Sequence, residues 1–413
     1  MQAMNAPQPT GSGNSMATQW LLNIGHAIDH MFLLIFATAL TSIALDFGLP
    51  RWEDLMPYSA AAFFFFGIGS LPSGKLGDHW GRRKMMTVFF FGMGASALLV
   101  SATHSPWQMA LALSLMGAFA SIYHPVGIPM LVQRAVRPGW TIGINGLVGN
   151  LGVAVAAGMT GFLVKYLGWR MAFAVPGVLC LGVGCVFALL ATRELAAPAK
   201  KKASGASLPT GVSIPKLLLV MTVAATSGSL LFNFSTSSNY ELLSDRLRTI
   251  LQDPAQIGVL LALVYTAASI TQLLVGHLID RMPLKGLYLG IVGTQALLLA
   301  LATLAGGWVF YGLQFLFMAS IFGAIPFTDA MIVRFVDDSM RSRVSGMRLA
   351  VSLGASSTAV WLIGPMVKQA GFSALLGVMT ATAIISLLVV SQLPATPAPR
   401  RKQADAVPAA KAA

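Results

Sequence analysis

Four ionisable side chains lie inside stretches of sequence that are otherwise apolar. His26, Asp29 and His30 follow one another in the first apolar stretch, and His124 lies in the fourth. Ionisable groups are costly in apolar surroundings, so residues of this kind indicate a functional site by default. Imidazole titrates near neutral pH and can exchange a proton with a neighbouring carboxylate. These residues therefore suggest proton-transfer chemistry.

The spacing of these residues leaves two interpretations open. His26 and His30 are four residues apart and share one helix face, and Asp29 is within reach of His26. If His124 faces the same cavity at the same depth, Asp29 and His124 form the proton site, with His26 or His30 assisting. Alternatively, His124 bonds a backbone carbonyl freed by Pro125, and the other histidines make static bonds between helices.

The composition indicates which solvent surrounds these stretches. The chain of 413 residues is 56% hydrophobic and 10% charged, with a mean hydropathy of +0.73. Soluble domains carry about 25% charged residues, so a lipid bilayer suits this chain better than water. The net charge of +13 does not predict a nucleic-acid partner, because the basic residues lie in short clusters between apolar stretches.

Twelve stretches are long and apolar enough to cross a membrane, which takes about 20 residues. We expect all-α spans at residues 18–46, 57–77, 84–103, 107–132, 140–166, 170–192, 216–239, 255–280, 285–305, 307–333, 341–367 and 371–393.

The basic residues predict the orientation and the domain organisation. With the amino terminus inside, only six of the 27 Lys and Arg residues face outward, as the positive-inside rule requires. Both termini are then cytoplasmic, in an inner membrane. We expect five parts in chain order: an N-terminal tail, a six-helix bundle, a flexible basic linker, a second six-helix bundle and a disordered basic tail. Their ranges are 1–17, 18–192, 193–215, 216–393 and 394–413.

The two halves resemble each other. The segment 74–78 (GKLGD) has a counterpart at 276–280 (GHLID), each after an equivalent helix. The pattern of Gly161, Lys165 and Gly168 recurs at Gly364, Lys368 and Gly371. Matches at one nearly constant offset favour an internal duplication. A six-plus-six parallel repeat places a cavity between its halves near the middle of the membrane.

The loop after the second helix carries a family resemblance. Residues 74–84 (GKLGDHWGRRK) resemble the signature loop of the major facilitator superfamily, and residues 276–285 resemble its weaker second copy. The motif Gly168-Trp169-Arg170 with Phe173 is similar to another feature of that family. The resemblance implies two six-helix bundles and a conformational latch. The latch residues are Gly74, Asp78, Gly81, Arg82, Arg83, Asp280 and Arg281.

Two further segments bear on the branch within that family. Helices four and five lack the Arg and the Gly-Pro pair that are typical of many proton-driven drug exporters. The segment 123–127 (YHPVG) and the pair Gly149-Asn150 are instead similar to the fosmidomycin-resistance branch.

Polar residues in other helices are candidates for the substrate cavity, although each could simply bond a neighbouring helix. Asn233 is the best single candidate, and the others are Asn145, Asn150, Tyr265, Gln272 and Tyr123. Asp329 and Arg348 could close a cytoplasmic gate or form a structural ion pair.

The sequence lacks the motifs of other classes of chemistry. No Walker loop is present, no Cys/His group has metal-site spacing, and no serine has a nucleophile-elbow motif. We expect no enzyme, cofactor or bound metal.

The family resemblance implies a monomeric secondary transporter that moves a small solute across the bilayer by alternating access. Proton-coupled efflux is the favoured mode, with Asp29 and His124 coupling proton movement to transport. The alternatives are a proton symporter or uniporter that imports a small organic acid or nutrient, and a membrane scaffold or sensor that does not transport.

Overall fold

The computed structural model describes residues 16–133, 135, 138–191, 214–336 and 338–394. Within these ranges all regular structure is helical. Most of the expected linker and of both expected tails lies outside the described residues, as do Arg134, Arg137 and the basic residues of the linker and C-terminal tail. The domain boundaries therefore remain predictions.

The first half of the chain forms six membrane helices. Their bounds are α1 Met16–Asp46, α2 Ala60–Trp80, α3 Arg82–Ser101, α4 Pro106–Val132, α5 Pro138–Leu167 and α6 Trp169–Leu190. Two short 3-10 turns, Trp52–Asp54 and Met56–Ser59, lead into α2. These helices follow the apolar stretches, and their ends differ from expectation by a few residues.

The second half repeats this arrangement. Its first four helices are α7 Ile214–Leu247, α8 Pro254–Ile279, α9 Leu284–Leu304 and α10 Gly307–Phe335. α7 continues beyond residue 239, where we expected it to end. Glu241 is 7% exposed, because it is buried against α1.

The last helical segment, Asp338–Val390, contains two membrane helices. A single helix of its 53 residues would be about 80 Å long, far beyond the roughly 30 Å of a bilayer core. Gly371 interrupts it with φ 74°, a value that favours glycine. The break separates α11 (338–370) from α12 (372–390). Eleven segments of the described chain meet the length and apolarity of a span, and the break makes the expected twelve.

Equivalent contacts relate the two halves by a pseudo-twofold axis. Gly168 and Gly371, with φ of 84° and 74°, start the last helix of each half. α5 packs on α8, and α11 packs on α2. A Cβ atom at Gly161 would lie 2.6 Å from the carbonyl oxygen of Pro254, and one at Gly364 would meet the carbonyl oxygen of Glu53. Small residues thus allow both crossings between the halves.

A π turn interrupts α4 at Tyr123–Gly127. Pro125 lies in this turn and has no backbone N–H to donate, which favours a local departure from α-helical bonding. The turn fixes where Tyr123 and His124 enter the protein interior.

Candidate functional site

The three histidines of the expected site meet in the first half of the chain. His26 and His30 of α1 have ring centroids 4.6 Å apart, and His124 of α4 lies 5.2 and 6.0 Å from them. We call these three side chains the histidine cluster. The spacing on α1 puts two imidazoles on one face, and the π turn of α4 brings the third against it.

Asp29 lies beside the histidine cluster. Its Oδ2 atom is 3.7 Å from Nε2 of His124, and its side chain is 0% exposed. Neither carboxylate oxygen has a hydrogen-bond partner among the described residues. A buried carboxylate without a partner is strongly unfavourable unless a proton or a cation offsets its charge. The site is therefore suited to bind and release positive charge.

A network of hydrogen bonds holds His26 in place. Its Nδ1 atom lies 2.8 Å from the carbonyl oxygen of Asn145, which can only accept, so Nδ1 is the donor. Tyr123 stacks on the ring at 4.7 Å and donates to the carbonyl of Leu22. The Asn145 amide donates to Tyr123 and to Asn23, at 2.8 and 2.9 Å. Three helices thus fix this imidazole.

The cluster borders a cavity of about 850 Å³, including the part open to solvent, between the two halves. His30 and His124 lie on its wall. The other polar lining residues are Ser70, Ser229, Asn233, Thr236 and Ser237, and the apolar ones are Leu33, Leu34, Phe63, Phe66, Val153, Phe232 and Leu353. A mostly apolar cavity with a few polar groups is typical of small-molecule sites.

Asn233 of α7 is part of the wall opposite the histidines. Its amide donates to the carbonyl of Ser229 at 2.8 Å and to the hydroxyl of Ser356 at 2.9 Å. The Ser229 and Ser356 hydroxyls are 2.9 Å apart. The best cavity candidate from the sequence therefore lines the cavity, within a small polar group of α7 and α11.

The five other cavity candidates do not line this cavity, because neighbouring helices take up their polar groups. Asn145 and Tyr123 belong to the network around His26. Asn150 of α5 donates to Gln272 of α8, joining the two halves. The Tyr265 hydroxyl accepts from Asn239 at 3.3 Å.

Arg348 of α11 forms an ion pair with Asp329 of α10, at 3.1 Å. The Arg348 side chain is 17% exposed and that of Asp329 is 68% exposed. Arg348 is also close enough to His124 for its charge to act on the imidazole across the halves. Arg348 therefore forms an ion pair with Asp329 inside the second half and acts electrostatically on His124 of the first half.

The signature loop lies at the end of α2. Gly81 has φ 95°, and Asp78 is 78% exposed with an oxygen 3.7 Å from Arg82. Arg83 donates to the carbonyl of Ala188. A Cβ atom at Gly74 would be 3.4 Å from Pro125 of α4. In the second copy, Asp280 and Arg281 are both exposed.

Ion pairs join the halves at the opposite end of the helices, which charge distribution predicts to face outward. We call it the outer end. Lys165 of α5 pairs with Asp253 before α8, and Lys368 of α11 pairs with Asp54 before α2. These two pairs are related by the internal repeat. The hydrogen bond from Lys165 holds the pKa of Asp253 below its ordinary value, so this pair stays charged at neutral pH.

Several residues of these sites escaped the sequence analysis. Glu241 of α7 accepts from the hydroxyl and the backbone N–H of Thr41 in α1, at 2.7 and 3.2 Å, and so joins the halves at the outer end. Thr236 and Ser237 line the cavity. The run 235–239 (STSSN) is unusually polar for a membrane helix, and this signal could have identified the wall.

Two bundles of membrane helices around a shared cavity define the architecture of a secondary transporter. The family profile of the Major Facilitator Superfamily matches residues 22–245 and 217–413. The chain belongs to this superfamily. It is therefore a multi-pass membrane protein of a transporter superfamily.

Relatives of several kinds share part of the sequence. The chain is 31% identical over 156 residues to the puromycin resistance protein pur8 of Streptomyces alboniger, covering 37% of this chain and 29% of that protein. It is 28% identical over 175 residues to a probable hexose phosphate transport protein of Chlamydia pneumoniae, covering 40% and 36%. The chain thus matches about a third of the length of these two relatives.

A longer match is to the multidrug resistance protein MdtG of Klebsiella pneumoniae, 25% identical over 297 residues, covering 69% of this chain and 70% of that protein. Among solved structures, a bacterial homologue of the human lysosomal transporter Spinster, inward-facing and occupied, aligns with a TM-score of 0.67. It is 14% identical, covering 90% of this chain and 94% of that one. This similarity shows the fold.

Proposed function

We propose that the protein is a proton-coupled antiporter that exports a small solute by alternating access through the cavity between its halves. The observation that carries this proposal is the location of Asp29. A fully buried carboxylate without a hydrogen-bond partner lies next to His124, and His124 lies on the cavity wall. A proton on this pair and a solute in the cavity would be close enough to influence each other.

The coupled exchange of a proton for a solute follows from electrostatics. With the outer end closed, the cavity receives solute from the inner side while the Asp29–His124 pair releases its proton to the cytoplasm. The negative charge left on the buried Asp29 then favours binding of a cationic solute over an empty cavity, and the halves rock to open the outer end. A proton from outside neutralises Asp29, weakens solute binding and allows the return. One proton enters for each solute that leaves.

Import of an anionic solute is the alternative, and Arg348 favours it. Its positively charged guanidinium acts on His124 from the opposite half, so an anion bound near His124 would be attracted by Arg348. A probable hexose phosphate transport protein is among the relatives. Under this alternative, proton and solute would move in the same direction.

We further propose that the protein is a monomer in the inner membrane with both termini in the cytoplasm. The distribution of basic residues supports this orientation. The bacterial origin of the relatives is consistent with the inner membrane.

The test is proton flux in proteoliposomes that contain a pH-sensitive dye. Wild type, Asp29→Asn and the control Asp245→Asn are compared while puromycin, a hexose phosphate and fosmidomycin are added in turn. Asp245 is a suitable control because, among the described residues, its ion pair is with Arg248 at the outer end, at 3.6 Å. We expect solute-dependent proton flux in wild type and the control, and its loss in Asp29→Asn.

The sign of the flux separates the two candidates. Opposite movement of solute and proton supports efflux, and parallel movement supports import. Solute transport without proton flux, or normal coupling in Asp29→Asn, would show that Asp29 has a structural role instead.

A further inference from the structure

The histidine cluster brings together half of the six histidines of the chain. One ring nitrogen from each of His26, His30 and His124 lies within 4.8 Å of the other two. The remaining histidines, His79, His104 and His277, are exposed. The sequence shows only the pair His26 and His30 at a metal-site spacing, because the third imidazole comes from a distant helix. The fold alone creates this group.

The geometry is close to that of a metal site. Two histidines four residues apart on one helix are the pair that zinc-binding helices use. Nitrogen ligands at about 2.0–2.1 Å from a tetrahedral ion are roughly 3.4 Å from each other. The separations in the cluster exceed this value by little more than an ångström. Small rotations about the side-chain torsions would close the difference, without movement of the helices.

Several buried polar atoms of the cluster and of Asp29 have no hydrogen-bond partner among the described residues. Nε2 of His26 and Nδ1 of His30 are buried without a hydrogen-bond partner within the described chain, and so are both oxygens of Asp29. Buried polar atoms in native proteins are nearly always satisfied. Two imidazole lone pairs and a carboxylate next to each other would be satisfied together by a single cation.

The surroundings of the cluster are those of a metal ligand set. Nδ1 of His26 is bonded to the carbonyl of Asn145, which leaves Nε2 as the free, ligating nitrogen. Backbone carbonyls and carboxylates commonly orient metal-binding histidines in this way. Asp29, 3.7 Å from Nε2 of His124, can orient that imidazole or supply a fourth, anionic ligand.

An ion can reach the cluster through the cavity, since His30 and His124 lie on its wall. Arg348, whose charge acts on His124 from the other half, is itself paired with Asp329. Imidazole ligands suit the divalent ions of zinc, copper, nickel and cobalt better than calcium or magnesium.

We propose that His26, His30 and His124, with Asp29 beside them, form a binding site for a divalent transition-metal ion next to the transport cavity. The site would hold the ion alone or as part of a metal-containing solute. The ion and the coupling proton would compete for Asp29. The proposal goes beyond proton-coupled transport, because ion binding requires neither proton flux nor movement of the halves.

The experiment is an optical titration of the purified full-length chain in detergent micelles, with any polyhistidine tag removed, using Co²⁺ alone as the probe. Tetrahedral Co²⁺ absorbs strongly in the visible range, and Zn²⁺ added afterwards should displace it. We expect saturable binding near one ion per chain in wild type. His30→Ala and His124→Ala should weaken binding more than about tenfold, the lower range for loss of a supporting contact.

His104→Ala and His277→Ala are the matched controls, since both residues are exposed histidines outside the cluster. They should bind Co²⁺ as wild type does. Size-exclusion chromatography and thermal melting verify that each variant is folded. Absence of saturable binding in wild type, or equal weakening in the control variants, overturns the proposal. The measurement involves no transport, so its outcome is independent of that of the proton-flux test.

Discussion

At the scale of single residues, the site depends on how buried polar groups are satisfied. Asp29 has no hydrogen-bond partner within the described chain, whereas His26 is held by a carbonyl and a stacked tyrosine. Asn145 is central to the bonds that hold His26. Its carbonyl orients His26, and its amide donates to Tyr123 and Asn23. It is a positioning residue: it touches the histidine that binds charge, and it lines no part of the cavity.

Asn145→Ala should therefore lower both stability and coupling. The change removes two amide hydrogen bonds. It leaves the buried Asn23 oxygen without this partner, at a cost of about 1–3 kcal/mol, while the Tyr123 hydroxyl keeps its bond to the carbonyl of Leu22. The melting temperature in detergent measures the first effect, and the ratio of proton to solute flux measures the second. The backbone carbonyl that bonds His26 remains, so the coupling ratio should fall without being lost.

Gln108→Ala is the control for this variant, because Gln108 makes its hydrogen bonds at the exposed start of α4. An Asn145→Ala protein with a wild-type melting temperature and an unchanged flux ratio would contradict the positioning role.

At the scale of elements, glycines set the distance between helices around the site. A Cβ atom at Gly149 of α5 would lie 2.6 Å from the His26 ring of α1. One at Gly152 would meet the carbonyl oxygen of Ala27. α1 and α5 thus contact each other closely through their backbones, and His26 fits in the space that Gly149 leaves.

Gly149→Ala should displace the His26 imidazole and impair both proton flux and Co²⁺ binding. The new methyl group occupies the position of the ring, so the ring or the helix must move. The matched control is Gly143→Ala on the same helix, where a Cβ atom would have no neighbour within 4 Å. Dye-reported flux and the optical titration are compared for both variants. Equal proton flux and equal Co²⁺ binding in the two variants would show that neither property depends on the fit of His26 against Gly149.

At the scale of the whole molecule, the two ion pairs at the outer end hold the halves together in this conformation. They occupy equivalent positions because the sequence repeats, with a lysine late in α5 and α11 and an aspartate before α8 and α2. Each exposed ion pair contributes only a small stabilisation. Two such contributions are enough to shift an alternating-access equilibrium several-fold.

The double variant Lys165→Ala, Lys368→Ala should increase the population of the outward-open state, because both ion pairs are lost at the end that must separate. Distances between spin labels on His104→Cys and Gly306→Cys, in a background lacking Cys180 and Cys185, report the separation at the outer end. We expect a longer distance component that is absent from the parent protein. Lys75→Ala, at the exposed inner end of α2, is the control.

An unchanged distance distribution in the double variant would show that helix packing alone closes the outer end. Exchanging the partners of one pair, with Lys165→Asp and Asp253→Lys together in the otherwise unchanged chain, should keep the parent distance distribution if the ion pair is responsible.

The sequence by itself determined the helices and their number, because the bilayer imposes a length and an apolar composition that can be read along the chain. It also pointed to His26, Asp29, His30 and His124 as candidates, since ionisable residues are conspicuous in apolar stretches; their roles remain predictions. The internal repeat correctly indicated where the halves are equivalent. These properties are local or periodic, so no knowledge of packing was needed.

Only the tertiary structure decided which polar residues share a cavity. Asn233 lines it, whereas Asn145 and Asn150 bond neighbouring helices. All three are asparagines in apolar helices, and the rotation of each helix about its axis decides between the two outcomes. The metal-type grouping of His124 with His26 and His30, and the burial of Glu241 against Thr41, likewise depend on contacts between distant helices. Such contacts leave no periodic trace in a single sequence.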